Sequence, residues 1–150
     1  MKANYKTLLP AVRAFVFDVD GVFTDGTVQI TTSGELLRTM SIKDGYAVKQ
    51  AVEAGYKIFV ITGGTNPGVE KRLAGLGVTD IHLVIHDKIK VLDDFIAKND
   101  ITADSIAYMG DDLQDIEAMQ KVGVASCPNN AVAVIKANSD SVSHRNGGER

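Results

Sequence analysis

Short, nearly continuous apolar runs alternate along the chain with segments whose apolar positions recur at helical spacing. The runs "AFVFD" (14–18), "KIFVIT" (57–62), "IHLVIH" (81–86), "SIAYMG" (105–110) and "VGVAS" (122–126) predict five buried strands. Their uniform apolarity is that of parallel strands covered on both faces. Between them, "DGYAVKQAVEAG" places Ala47, Val48, Ala51 and Val52 on one helical face. "PGVEKRLAGLG" opens on Pro67, suited to a first helical turn, and ends in glycine. "KIKVLDDFIAKN" lines up Ile89, Leu92, Phe95 and Ile96 in one stripe, and "DLQDIEAMQKVG" and "NNAVAVIKAN" complete the series. This rhythm predicts an α/β fold with a doubly wound parallel sheet, formed by residues 1–150 as one domain with no linker, repeat or low-complexity stretch. One piece breaks it: "TVQITTSGELLRTM" (27–40) has two β-prone arms around "TTSG" and predicts a hairpin inserted after the first strand. There it would stand over the carboxyl end of the sheet, as a lid or an oligomer contact.

Composition adds bounds. The 150 residues suffice for one core, and 45% hydrophobic with 23% charged residues is ordinary for a globular protein. A net charge of −3 without a basic tract argues against nucleic acid as a partner and suits a small-molecule enzyme. The single cysteine, Cys127, excludes an internal disulfide and a cysteine-based zinc cluster. No apolar run approaches the ~20 residues of a membrane span. The N-terminal stretch, interrupted by Arg13, does not read as a signal peptide, so a cytoplasmic protein is expected.

In such sheets ligands bind outside the carboxyl ends of the strands. Strand one delivers Asp18 and Asp20 there; strand two delivers Thr62, followed by Gly63 and Gly64; Lys88 opens the helix after strand three; strand four delivers Asp111 and Asp112, with Asp115 one turn on. Each residue alone has an ordinary structural reading, such as a helix cap or a solvated lysine. "GGTNPG" lacks the spacing of a dinucleotide fingerprint. Together the acids repel one another unless a cation sits among them, and a hard divalent ion such as Mg2+ with oxygen ligands fits. A mechanism then follows. Asp18 attacks phosphorus, Asp20 moves the proton, Thr62 and the glycine amides hold phosphoryl oxygens, and Lys88 supplies fixed positive charge.

D-x-D-G-V-x-T-D-G, a strand-end Thr, an isolated Lys and G-D-D-x-x-D, in that order, resemble the haloacid dehalogenase (HAD) superfamily of phosphatases over nearly the whole chain. "DVDGVFTDG", "SIKDGYAVK", "ITGG", "EKRLAGLGV" and "YMGDDLQD" resemble the 3-deoxy-D-manno-octulosonate 8-phosphate (KDO 8-phosphate) phosphatases, relatives of the nonulosonate 9-phosphate phosphatases. The resemblance implies a HAD-like Rossmannoid fold with the small hairpin flap and no large cap. It implies Asp18 as nucleophile and metal ligand, and Asp20 as acid/base that also gives a backbone carbonyl to the metal. Asp111 would be the second metal carboxylate, supported by Asp112 and Asp115, and Thr62 and Lys88 would bind phosphate. Ser41, Ile42, Lys43, Asp44 and Gly45, with Lys49 and Arg72, match substrate-contacting positions; these cations suit the carboxylate of a sugar acid.

The resemblance further implies a role in lipopolysaccharide precursor synthesis and a homotetramer packed through the hairpins, which the apolar Val28, Ile30, Leu36, Leu37 and Met40 fit. It also implies a glycine-rich turn and a C-terminal tail beyond "HRNGGER" that reaches a neighbouring site. One position departs from it: Gly64 stands where KDO 8-phosphate enzymes usually carry arginine. A broader small-phosphate phosphatase is therefore an alternative. Two non-enzyme readings fit the residues less well. A phosphoacceptor receiver domain would carry its adjacent acids after strand one and a lone Asp after strand three, unlike this chain. A sugar-phosphate-binding regulatory relative would lack turnover, whereas all the core groups are present.

Overall fold

The computed structural model describes residues 3–149. A short helix, α1 (Tyr5–Leu8), leads into β1 (Ala14–Phe17), and a two-stranded hairpin follows, β2 (Gln29–Ile30) and β3 (Leu36–Leu37). Then come α2 (Ile42–Glu53), β4 (Lys57–Ile61), α3 (Pro67–Gly75), β5 (Asp80–His82), α4 (Lys88–Asn99), β6 (Ile106–Met109), α5 (Ile116–Lys121), β7 (Val124–Cys127), α6 (Ala133–Asn138) and β8 (Ser141–Val142). The six-stranded sheet has the order β5-β4-β1-β6-β7-β8, and every pairing in it is parallel. The chain winds outward from β1 to one edge, then restarts beside β1 and winds to the other. The doubly wound sheet is thus confirmed, and its switch point lies between β1 and β6.

The apolar runs are continuous because both faces of the sheet are covered. Along β4, Ile58 and Val60 pack with Val48, Val69 and Leu73 from α2 and α3. The alternate residues, Phe59 and Ile61, pack with Leu92, Phe95, Met119 and Ile135 from α4, α5 and α6. The Phe59 and Phe95 rings stack 4.1 Å apart, a contact of the kind that adds ~1 kcal/mol beyond area burial. Side-chain oxygens start the helices. Ser41 accepts from the Asp44 amide at 3.4 Å, Asn66 from Gly68 at 2.8 Å, and Asp87 from Lys90 at 3.1 Å. Among the described residues no helix is long and apolar enough to cross a membrane.

The structure departs from the sequence reading in two places. The apolar run 81–86 leaves the sheet after His82, and Val84 adopts φ +59°. Its backbone hydrogen bonds go to the loop after β4: the Val84 amide donates to Gly64 O and the Ile85 amide to Thr62 O, at 3.1 and 3.0 Å. The run serves to brace Thr62 and Gly64. The edge strand β8 was not expected, because two residues, Ser141 and Val142, carry no periodicity.

The hairpin lies where the sequence placed it, with Gln29 opposite Leu37 and Ile30 opposite Leu36. It is pinned to the sheet end by Asn66 Nδ2, which donates to Leu36 O at 2.7 Å.

Candidate active site

Asp18 follows β1 and Asp111 follows β6, so the switch point brings their carboxylates together. The Asp18 amide continues the ladder by donating to Met109 O at 3.1 Å, and its Oδ1 accepts from the Val19 amide at 2.7 Å. The residue is 8% exposed. The chain then turns at Gly21, with φ +87°; a Cβ there would lie 1.9 Å from Asp111 Oδ2. Only glycine permits both this backbone conformation and this approach.

Beneath the two carboxylates lies a fully buried cluster. Asp115 Oδ1 accepts from Lys88 Nζ at 2.7 Å and from the Tyr108 hydroxyl at 2.8 Å. Asp115 Oδ2 accepts from the amides of Asp111 and Asp112, at 3.0 and 3.4 Å. Asp115 therefore braces the turn that carries Asp111. Lys88 Nζ also reaches Asp18 Oδ2 at 3.1 Å. Burial opposes the charge on Lys88, but Asp18 and Asp115 outweigh it and hold the ammonium above its ordinary pKa. Tyr108 is pushed well up by burial and by Asp115, so it stays a hydroxyl donor.

The upper carboxylates are not compensated in this way. Burial, then repulsion from Asp115, raises Asp18 to about 6 against the lowering effect of Lys88. Burial, then Asp18, Asp115 and Asp112, raises Asp111 to about 7. Asp111 Oδ1 is buried with no hydrogen-bond partner among the described residues. Oxygens of Asp18, Asp111 and Asp115 lie within 4.8 Å of one another. Asp115 is fully buried, whereas Asp18 and Asp111 face the cavity above, so these two are the carboxylates open to a cation. An orphaned buried oxygen and two raised acids are what a hard divalent ion with oxygen ligands would satisfy.

A stability prediction follows with its sign. The folded pKa values of Asp18 and Asp111 lie above that of an ordinary aspartate, about 3.9, so between pH 4 and 7 the folded state binds more protons than the unfolded one. Their contribution is therefore favourable at low pH and is lost as pH rises through 6 and 7. Metal-free protein should melt at a higher temperature at pH 5.5 than at pH 8. Asp111→Asn should flatten that dependence, and Mg2+ should raise the melting temperature of the wild type at pH 8. Calorimetry with chelator and with Mg2+ checks this; a slope unchanged by Asp111→Asn would refute it.

Above these groups opens a cavity of about 450 Å3. Its lining includes Asp18, Asp20, Thr62, Gly63, Gly64, Asp111 and Asp112, all candidates from the sequence, and also Arg38, Thr65, His86 and Gln114, which the sequence does not mark. Thr62 is 2% exposed, and its hydroxyl accepts from the Gly64 amide at 3.1 Å. Lys88 lies below the cavity floor rather than in its wall. The other candidates lie elsewhere in this chain. Ser41 caps α2, Ile42 is 81% exposed, and Lys43 and Lys49 are exposed, Lys49 facing Glu53 at 4.0 Å. Asp44 sits in the first turn of α2, where burial raises its carboxyl. Gly45 is buried against the Arg72 guanidinium, and Arg72 lines a neighbouring cleft with Leu37, Met40 and Asn66.

Of the polar residues that sequence reasoning missed, two contact the acids of the site. Tyr108 sits in an apolar strand run and reads as core until its hydroxyl is seen on Asp115. Arg38 lies on the hairpin, and its guanidinium clamps Asp20, with Nε and Nη2 donating to the two carboxylate oxygens at 3.0 Å each. A lone arginine in a β-prone arm carries no sequence signal for that contact.

Comparison with known proteins agrees with this geometry. Residues 45–128, more than half of the chain, match the haloacid dehalogenase-like hydrolase family. The 3-deoxy-D-manno-octulosonate 8-phosphate phosphatase of Salmonella typhi is 33% identical over 137 residues, 91% of this chain and 73% of that protein. The crystal structure of the phosphatase of that name from Yersinia pestis superposes with a TM-score of 0.92 at 27% identity, covering 95% of this chain and 77% of that one. The Moraxella catarrhalis phosphatase, solved with a magnesium ion, a phosphate ion and KDO, superposes with a TM-score of 0.91 at 28% identity, covering 96% and 82%. The carboxylates at the switch point thus sit on the scaffold of known phosphatases, and the chain belongs to the haloacid dehalogenase-like hydrolase family, among the 3-deoxy-D-manno-octulosonate 8-phosphate phosphatases.

Proposed function

We propose that this protein is a magnesium-dependent phosphomonoesterase that hydrolyses KDO 8-phosphate to KDO and inorganic phosphate. The observation that carries the reading is the pair formed by Asp18 and the orphaned Asp111 at the floor of a cavity that also holds Asp20 and Thr62. The relatives support the substrate: the Salmonella typhi protein bears that activity in its name, and the Moraxella catarrhalis structure holds both products.

Asp18, Asp111 and the backbone carbonyl of Asp20 would hold Mg2+, which would neutralise phosphoryl charge. An Asp18 oxygen attacks phosphorus, the bond to the sugar oxygen breaks, and Asp20 delivers a proton to that oxygen. Asp20 then takes a proton from water as the water attacks the aspartyl-phosphate, freeing Asp18. Thr62 and the glycine loop hold phosphoryl oxygens. Lys88 fixes Asp18 and supplies positive charge beneath it. Asp112 and Asp115 act in support, Asp115 through Lys88 and the Asp111 turn.

Residues 1–150 form one catalytic domain, working in the cytoplasm in lipopolysaccharide precursor synthesis. A homotetramer through the hairpin is supported by the exposure of Val28, Ile30, Leu36 and Leu37 in the single chain. Ser41, Ile42, Lys43, Asp44, Gly45, Lys49 and Arg72, outside the cavity of their own chain, would contact substrate where subunits meet.

The test is phosphate release with Mg2+ from KDO 8-phosphate, a nonulosonate 9-phosphate and a hexose 6-phosphate. The expected kcat/KM favours KDO 8-phosphate by roughly 100-fold or more. Preference for the nonulosonate ester, or equal slow turnover of all three, would overturn the substrate while leaving the chemistry in place.

A further inference from the structure

Arg38 lies in an unusual place for a surface ion pair. Its side chain is 7% exposed, although it stands on a hairpin whose neighbouring residues are exposed. Among the described residues it is the only arginine or lysine that lines the cavity. It is held from both sides: Nη1 donates to Leu36 O at 2.8 Å, while Nε and Nη2 grip the two oxygens of Asp20.

The guanidinium also borders the phosphate cradle. A Cβ built on Gly64 would lie 3.3 Å from Arg38 Nη2, 3.4 Å from Asp20 Oδ2 and 3.4 Å from Thr62 Oγ1. One point beside the glycine loop is thus ringed by the arginine, the proton carrier and the phosphate-binding hydroxyl. The bare glycine leaves the space into which the hairpin delivers its arginine.

A tether between hairpin and sheet would explain the contact alone, but the tether already exists in Asn66 and Leu36. The Arg38 contact is made with the residue that must be free for chemistry. The fork takes one lone pair of each Asp20 oxygen and fixes the orientation of a carboxylate that lines the cavity. A planar guanidinium fork matches a carboxylate and a phosphoryl group equally well. In this structure the carboxylate that fills the fork is that of Asp20.

We propose that Arg38 is a substrate-reading residue: when substrate enters, its guanidinium passes from Asp20 to a pair of anionic substrate oxygens, and Asp20 is released to face the leaving oxygen. The proposal rests on the phosphatase reading above. The shared ligand chemistry is a planar pair of anionic oxygens, from either the phosphoryl group or the carboxylate of the sugar acid.

The experiment measures dissociation constants, in Mg2+, for inorganic phosphate and for free KDO separately, in wild type, Arg38→Gln and Arg38→Lys. Arg38→Gln should weaken one of the two by roughly 10- to 100-fold, the range of a charged two-point contact. Arg38→Lys, which keeps the charge but loses the fork, should recover only part. Weaker phosphate binding assigns the phosphoryl group; weaker KDO binding assigns the carboxylate. Both constants within twofold of wild type in Arg38→Gln would overturn the proposal, whether or not the melting temperature falls, since a tether alone would move stability and not affinity. Wild type that binds phosphate but not KDO would count against the substrate named above, and Arg38 would then be judged on phosphate alone.

Discussion

Asp18→Asn is expected to abolish phosphate release from every phosphate ester, by roughly 10,000-fold or more. The amide has nearly the shape of the carboxylate but cannot attack phosphorus, and it offers the metal less charge. The loss should not come from unfolding. Asp18 is a strained group in the metal-free protein, raised to about 6 by burial and by Asp115. Removing its charge breaks the pair with Lys88, which keeps Asp115, but relieves the burial and repulsion that outweigh that pair, and the Val19 amide can still donate to the amide oxygen. At pH 8 without metal the variant should therefore melt no lower than wild type. Undiminished turnover by a folded Asp18→Asn protein would rule out Asp18 as nucleophile.

Lys88→Met is expected to lower both activity and stability, by separable routes. The ammonium is 3% exposed and bridges Asp18 and Asp115 at 3.1 and 2.7 Å. Its removal leaves two buried carboxylates without their shared cation, a change that typically costs about 3–5 kcal/mol. For a chain of this size that is roughly 6–20 °C in melting temperature. The loss of fixed charge beneath the nucleophile should lower kcat by about 100- to 1,000-fold. The double variant Lys88→Met with Asp115→Asn separates the effects. An asparagine at 115 can still accept from the Asp111 amide and donate to Tyr108, so much of the stability should return while activity stays low. Recovery of activity together with stability would show that Lys88 acts only as a structural ion.

The parts of this site that were legible in the sequence are those that sit at the ends of apolar runs. "AFVFD" ends on Asp18, "KIFVIT" on Thr62 and "SIAYMG" just before Asp111, so the strand pattern itself located them. The doubly wound parallel sheet follows from the same alternation, since a central strand such as β4 buries both faces. What was not legible depends on contacts distant along the chain. Arg38 meets Asp20 only because the hairpin folds back over the sheet. Run 81–86 has strand-like residues, yet its amides are spent on Thr62 and Gly64 and its backbone turns at Val84. Tyr108 has the pattern of a core residue and is one, with a polar end that the pattern does not reveal. Lys43 and Lys49 are cations on a helix, and spacing alone does not say which way a helix faces relative to a cavity.

The central claim is that phosphate passes through Asp18, and the most direct measurement is to trap it there. Enzyme mixed with KDO 8-phosphate and Mg2+ would be quenched in acid during the first turnover, reduced with borohydride and mapped by mass spectrometry. An aspartyl-phosphate at position 18 reduces to homoserine, so the account predicts homoserine in the peptide that spans "AFVFDVDG" and in no other. Homoserine at another aspartate, with none at position 18, would contradict it.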